Sequence, residues 1–423
     1  MNIKIATLIA LMLFAGMATA ADVYEGESIQ AAINNATSGE TIFVGPGRYI
    51  ENVIVNVSLT LTGDDAIIEA LNCSRHTISI NANDTLIGGF GVTGATINRS
   101  GVFINRSMNV TIRNNEVYGN KYGIYTQNGS HNHILRNIVD DNTQYNIDLV
   151  NSTDTLIEGN SASGGWYCGI AMYQSCNNTV RNNTANQNSL CAGVLLYSKC
   201  YDNLIEDNTI NNNNEYGGVL MFQGCGNNTV RNNDVCDNYG IYGGITLYNC
   251  DHGNVITGNK VLNNEPYGMA FPSSGGNLIY NNVLVNADNT YGYGGVNTWN
   301  VTTIDGWNIV GGQSIGGNYW SDYNGTDTDM DGFGDLPHPV DSNMAQYDQH
   351  PIMQPLCGDV DWNNHISVND VIEVYRKAVD PDYPISPLVA DVDSNTYISV
   401  NDVIEIYRKA VNPDHELHCG LNT

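Results

Sequence analysis

One short phrase returns along this chain at nearly constant spacing, and that repetition limits the folds open to it more than any other feature. Thr-Ile-Arg-Asn-Asn, Leu-Ile-Glu-Gly-Asn, Thr-Val-Arg-Asn-Asn, Leu-Ile-Glu-Asp-Asn and their relatives end at Asn115, Ile138, Asn160, Asn183, Asn208, Asn233, Asn259 and Asn282. The intervals are 23, 22, 23, 25, 25, 26 and 23 residues. A second phrase keeps step with the first, at Gly169–Tyr173, Gly193–Tyr197, Gly218–Phe222 and Gly244–Tyr248. No helical periodicity runs between Val53 and Val296. Short β-branched runs broken by Gly and Asn, one set per repeat, predict a mainly β chain, a parallel β-helix with coils of 22–26 residues.

Stacked coils lie about 4.8 Å apart, so a residue type repeated once per coil becomes a ladder. Asn suits such a ladder because it tolerates left-handed backbone and its amide bonds to the Asn above and below. Two residues earlier stand Arg113, Arg136, Glu158, Arg181, Glu206 and Arg231, which predict surface ion pairs between rungs. Cys176, Cys200, Cys225 and Cys250 fall in register and predict either bridges between rungs or a buried thiol ladder. Strand alternation puts Ile170 and Met172 inside and Tyr173, Tyr197, Phe222 and Tyr248 outside, where aromatic faces suit sugar rings.

Forty-four acids against sixteen bases, in 423 residues, disfavour nucleic acid, whose phosphates need clustered Lys and Arg. Residues 1–20 read as a secretory signal peptide: Lys4, an apolar run from Ile5 to Ala18, then Ala18-Thr19-Ala20 as the cleavage site. No other apolar run is long enough for a membrane helix, so the expected location is secreted, extracellular or surface-associated, without membrane insertion. Fourteen Asn-X-Ser/Thr sequons between Asn35 and Asn324 suit that expectation.

The segments Ser28–Asn34, Thr41–Tyr49 and Ser58–Gly63 resemble the N-terminal cap and first coils of pectin-lyase-type right-handed β-helices, and the chain is similar to archaeal NosD-like surface proteins. Gly316–Tyr323 resembles the segment that closes such helices. The resemblance implies a solenoid over 21–312 and a closing segment over 313–356. It also implies carbohydrate as a partner, because polysaccharide lyases, hydrolases and epimerases share the fold. Whether the chain is a lyase or glycoside hydrolase stays open, with the catalytic residues unknown. The acids near Asp140, Asp141 and Asp148, and near Asp234, Asp237 and Asp251-His252, do not reproduce a recognised catalytic pattern. The NosD name carries a copper association, yet His131 and His133 have no matching Met or Cys nearby, which makes copper handling a remote alternative.

Residues 357–420 carry the other strong repeat. Asp359-Val360-Asp361 and its sequel recur 32 residues later from Asp391, and Val371–Val379 and Val403–Val411 differ at one aliphatic position. Positions 1, 3, 5, 9 and 12 of each twelve-residue loop offer side-chain oxygens, and position 7 a backbone carbonyl, as in an EF-hand loop. Two such loop-helix units with Asp at position 12 resemble type I dockerins, which bind cohesins. The resemblance implies calcium as cofactor, held by Asp359, Asp361, Asn363, His365, Ser367 and Asp370, and by Asp391, Asp393, Asn395, Tyr397, Ser399 and Asp402. It implies a partner surface at Val368, Asn369, Val400 and Asn401. Position 6 is Asn364 or Thr396 where Gly is usual, which makes the second loop the weaker. Cys357 and Cys419 bracket the module and could tie its ends together. A lesser calcium candidate is Asp327, Asp329, Asp331, Phe333 and Asp335, whose twelfth position is His338.

The expected protein is thus a carbohydrate-directed right-handed β-helix followed by a small all-α duplicated calcium-loop domain. Cohesin tethering and polysaccharide degradation form the leading reading. A non-catalytic surface, adhesion or spacer protein is the alternative.

Overall fold

The computed structural model describes residues 20–419 except 252, 342–344, 354–355, 362–364, 384, 386 and 396. The expected signal peptide therefore lies almost wholly outside the described residues, as do Asn363, Asn364, Thr396 and His252. Strand Ala20–Val23 pairs in parallel with Glu40–Val44 and forms the first rung.

Each coil contributes short strands to stacked parallel sheets. Thr111–Arg113, His133–Leu135, Leu156–Glu158, Thr179–Arg181, Leu204–Glu206 and Thr229–Arg231 belong to a 14-stranded sheet. Ser100–Asn105, Tyr122–Gln127, Ile147–Val150, Ile170–Tyr173, Val194–Tyr197, Val219–Phe222 and Ile245–Tyr248 belong to an 11-stranded one. A third side, four strands long, ends at Tyr319–Trp320, so the closing segment supplies the last rung beyond residue 312. The middle residue of each three-residue strand, from Ile112 and Ile134 to Val230, points into the core and is fully buried. Strands this short have little pairing energy of their own, so this inward column and the corner asparagines carry the stack.

Three corner ladders of buried asparagine run along the solenoid. In the first, Asn115, Asn137, Asn160, Asn183, Asn208, Asn233, Asn259, Asn282 and Asn318 are linked, each Nδ2 donating to the next Oδ1 at 2.9–3.0 Å. The rung after Asn115 is Asn137, not the expected Ile138, which is exposed. The same one-residue slip brings Leu135 rather than Arg136 against Arg113 and Glu158. Glu158–Arg181 (3.0 Å) and Glu206–Arg231 (2.6 Å) form the expected ion pairs, each worth about 0–1 kcal/mol at such half-exposed positions.

The thiol ladder is also one residue shorter than its spacing suggested. Cys200 and Cys225 are buried and unbridged, donating to the Met172 and Leu196 carbonyls, and Cys250 is buried beside them. Ser175 stands one rung before them, its Oγ donating to the Leu149 carbonyl, and Cys176 lies beside it, half-buried. Disulfides form elsewhere, at Cys168–Cys191 and, as the bracketing cysteines suggested, Cys357–Cys419.

Both ends of the solenoid are covered. Helix α1 (Ile29–Asn35) buries Ile29 and Ile33, with Ser28 as its N-cap and Glu51 accepting the Ile29 and Gln30 N–H groups. At the other end Trp299 and Trp320 lie against the core, their indole N–H groups donating to Gln346 and Asp348 at 2.9 Å. Asp348 is fully buried and takes the place of the next asparagine, accepting from the Asn318 backbone at 2.7 Å. Gly317 is obligatory there, because a Cβ would fall 1.9 Å from that carboxylate.

The C-terminal module is built on α2 (Val368–Val379), the short α3 (Pro387–Ala390) and α4 (Val400–Val411). Its own core joins Val360, Ile366, Val374, Val389, Val392 and Ile406 to Cys419. So small a core benefits from the Cys357–Cys419 bridge, which closes a loop across 62 residues.

Candidate functional site

In each copy of the module the loop turns directly into a helix whose N-cap is a serine. Ser367 and Asp370 form a capping box on α2, and Ser399 and Asp402 form the same box on α4. Asp370 does more than cap. Its carboxylate accepts the backbone N–H groups of Val360 at 2.9 Å, Asp361 at 3.3 Å and Ser367 at 2.8 Å, drawing the start of the loop onto the helix. Asp402 does likewise with Val392 at 3.0 Å and Ser399 at 2.8 Å.

This folding gathers Asp359, Asp361 and Asp370 into one group and Asp391, Asp393 and Asp402 into another, with carboxylate oxygens within 4.8 Å of one another in each. Burial, followed by the neighbouring Asp402 and Asp391, pushes the Asp393 carboxyl above its ordinary range. The oxygen-only donor set fits a hard cation such as calcium. Of the other expected ligands, Ser367 and Ser399 are occupied as helix caps, accepting from Asn369 and Asn401. The Asn395 side chain accepts the Tyr397 N–H at 2.9 Å, and Tyr397 turns its ring outward. His365 is an exposed loop residue with partners of its own.

The lesser loop gathers Asp327, Asp329 and Asp335, while Asp331 stands outside the group and accepts the Phe333 N–H at 2.9 Å. Phe333 itself is buried. The Asp335 carboxyl is held below its ordinary range by the Thr328 N–H and the Thr326 hydroxyl. His338 is turned inward onto Trp320, with ring centres 4.6 Å apart, so the position-12 residue serves the core.

The 11-stranded sheet carries the aromatic surface. Tyr173, Tyr197, Phe222 and Tyr248 occupy successive rungs with centroids 5.4, 5.6 and 5.0 Å apart, as alternation required. Sequence reasoning missed a second aromatic group nearer the N-terminus, in the neighbouring column that continues as Ala171, while the Tyr173 column itself runs on as Val150, Gln127 and Asn105. His76 stacks on Phe103 at 4.3 Å, Phe103 on Tyr125 at 5.3 Å, and Tyr122 adjoins both Tyr125 and Tyr145. Phe103, Tyr125 and Asp148 share one register position. Asp148 is 6 % exposed, and burial pushes its carboxyl up to about 7.

Three of the other acids flagged in the solenoid are engaged by neighbouring coils. Asp140 accepts from the Ser161 hydroxyl and the Ser163 N–H, Asp234 lies 3.6 Å from Lys260, and Asp251 accepts the Gly275 N–H at 2.7 Å.

A family described as periplasmic copper-binding protein (NosD) matches residues 33–178 and 150–325, well over half of the chain. The chain belongs to the NosD family. Among its described residues, the groups of three or more potential metal-binding side chains are all carboxylates, which do not fit copper's preference for nitrogen and sulfur. A cell surface glycoprotein of Methanothermus fervidus is 38% identical over 124 residues, 26% of this NosD-family chain and 20% of that protein. The chain thus matches about a fifth of that relative's length. Among solved structures, the catalytic domain of a GH87 alpha-1,3-glucanase in complex with tetrasaccharides is similar at TM-score 0.52 and 16% identity, covering 66% of this chain and 68% of that one. The Dettilon tailspike protein is similar at TM-score 0.51 and 18% identity, covering 64% and 68%. At such identities these two establish the β-solenoid fold alone.

Proposed function

We propose that this protein is a secreted, carbohydrate-directed β-helix whose C-terminal module folds around two calcium ions and docks the chain onto a cohesin-bearing partner. The duplication carries the reading. Two loop-helix units each draw three carboxylates together, then present the same stripe on the following helix: Val368, Ile372, Tyr375 and Val379 on α2, and Val400, Ile404, Tyr407 and Val411 on α4. All eight are between 42% and 60% exposed. Exposed apolar stripes of this size mark protein contacts, and the match between them makes the two faces interchangeable. Asn369 and Asn401 stand beside the first residue of each stripe and are exposed as well. The name of the M. fervidus relative supports a place at the cell surface. The aromatic rungs support carbohydrate as the solenoid's partner.

Calcium titration of the full chain tests the metal. Three carboxylates in contact repel until a cation joins them, so calcium is expected to raise the melting temperature of the module and chelator to lower it. Asp370→Ala and Asp402→Ala should each remove one of two binding events. Absence of calcium heat in calorimetry, with melting unchanged by chelator, would overturn the assignment. For docking, exchanging Val368-Asn369 or Val400-Asn401 alone should leave binding to a type I cohesin intact, and exchanging both should abolish it. Loss from either single exchange would rule out two equivalent faces.

A further inference from the structure

We infer that the groove bounded by Arg75, His76, Arg99, Phe103, Tyr125 and Asp148 is a binding site for an anionic saccharide. Two hollows of about 470 and 270 Å³ adjoin on the outer face of the 11-stranded sheet and share His76 and Arg99. Arg75 lines the first, while Phe103, Tyr125 and Asp148 line the second.

Three observations meet in this groove. First, the chain has only sixteen bases and a formal charge of −28, yet two exposed arginines converge here and neither is ion-paired with a described residue. Against so acidic a background an unpaired arginine pair selects for a small anionic group, which guanidinium binds in a forked geometry. Second, the His76, Phe103 and Tyr125 rings stack on one another from coil to coil, so the groove meets their edges, an apolar wall beside that charge against which the C–H groups of a sugar ring can pack.

Third, the Asp148 side chain is 94% withdrawn from solvent and has no hydrogen-bond or ion-pair partner among the described residues, although it faces the second hollow. A buried carboxyl without a partner costs stability, which a ligand hydroxyl could recover. Burial raises its pKa to about 7, so below neutral pH it offers an O–H to the ligand rather than a second negative charge. His76 fits the same purpose. Its Nδ1 accepts the Ser100 N–H at 3.0 Å, which leaves the ring proton on Nε2, and burial with the nearby Arg99 lowers its pKa to about 4, keeping it neutral. A groove with two arginines, an apolar aromatic wall and hydrogen-bonding groups matches a sugar ring that carries a carboxylate or sulfate. A free inorganic anion would not use the wall.

The inference rests on the carbohydrate part of the proposed function and refines it. Calorimetry on the full chain would use oligomers of galacturonate, of glucuronate and of mixed mannuronate and guluronate, the methyl ester of the best binder, a sulfated oligosaccharide and neutral gluco-oligosaccharides. At least one acidic oligomer is expected to bind, at least tenfold tighter than its methyl ester or the neutral oligomers. Carboxylated and sulfated arms show which anion the arginines prefer. Arg99→Gln should weaken binding at least tenfold, whereas Arg113→Gln, on the other long sheet, should leave it unchanged. Failure of every acidic oligomer to bind, equal binding of the ester, or indifference to Arg99→Gln would overturn the inference. Retention of neutral polysaccharide through Tyr197 and Phe222, with no acidic oligomer bound, would defeat this site and leave the broader carbohydrate reading standing.

Discussion

Replacing Asn208 by Leu is expected to destabilise the solenoid by about 2–6 kcal/mol. The Asn208 Oδ1 accepts both the backbone N–H and the Nδ2 of Asn183 at 3.0 Å, and its own Nδ2 donates to the Val180 carbonyl at 2.9 Å. Leucine fills a similar volume but takes the partner from the Asn183 N–H and from the Val180 carbonyl, at about 1–3 kcal/mol each for groups that water does not reach, while the Asn183 Nδ2 keeps its bond to the Ile157 carbonyl at 2.9 Å. In a stacked repeat the loss falls first on the interfaces between neighbouring coils. Denaturant unfolding monitored by far-UV circular dichroism measures it. A cost below about 1 kcal/mol would mean that side-chain amides are not what holds the corners together.

Asp148→Asn should act in the opposite direction, and only at neutral and alkaline pH. The folded-state pKa is raised from 3.8 to about 7 by burial. Below the unfolded value the carboxyl is neutral in both states and contributes nothing to the balance. As pH rises from there toward 7 the unfolded chain releases the proton while the folded chain keeps it, so stability falls, and the full penalty is present above 7. Its size is on the order of 4 kcal/mol. Tyr122, Tyr125 and Tyr145 face Asp148, and burial and its charge raise all three above their ordinary range, so they stay neutral in this window. The variant should therefore match the parent near pH 4 and exceed it at pH 8, as read from unfolding midpoints across that range. An equal gap at both ends would show that Asp148 does not titrate this way.

The coil period, the inward columns and the acid loops were legible in the sequence because each depends on residues close in the chain. Asp359, Asp361 and Asp370 are brought together by one turn and the helix it starts. Register was harder to read. Counting from the end of a repeated phrase selected Ile138 and Cys176, each beside the true rung, because a coil of altered length shifts the phrase against the hydrogen-bonding corner. The Arg75–Asp148 groove was not legible for a different reason. The burial of Asp148 and the convergence of two arginines with three aromatic rungs arise from separate coils and the loops at their corners, and no spacing along the chain encodes how far a corner loop leans over a sheet.

The ladder that begins at Asn115 has a direction. Every amide in it hands a donor toward the next coil, so each rung leaves an acceptor to be matched and a donor to be passed on. Such a relay has no internal reason to stop, and an open last coil would invite another chain to continue it. Asp348 accepts from Asn318 and Trp320 and has no amide hydrogens to pass on. It works as a chain terminator for the stack, keeping the solenoid finite where its repeats alone would favour end-to-end growth.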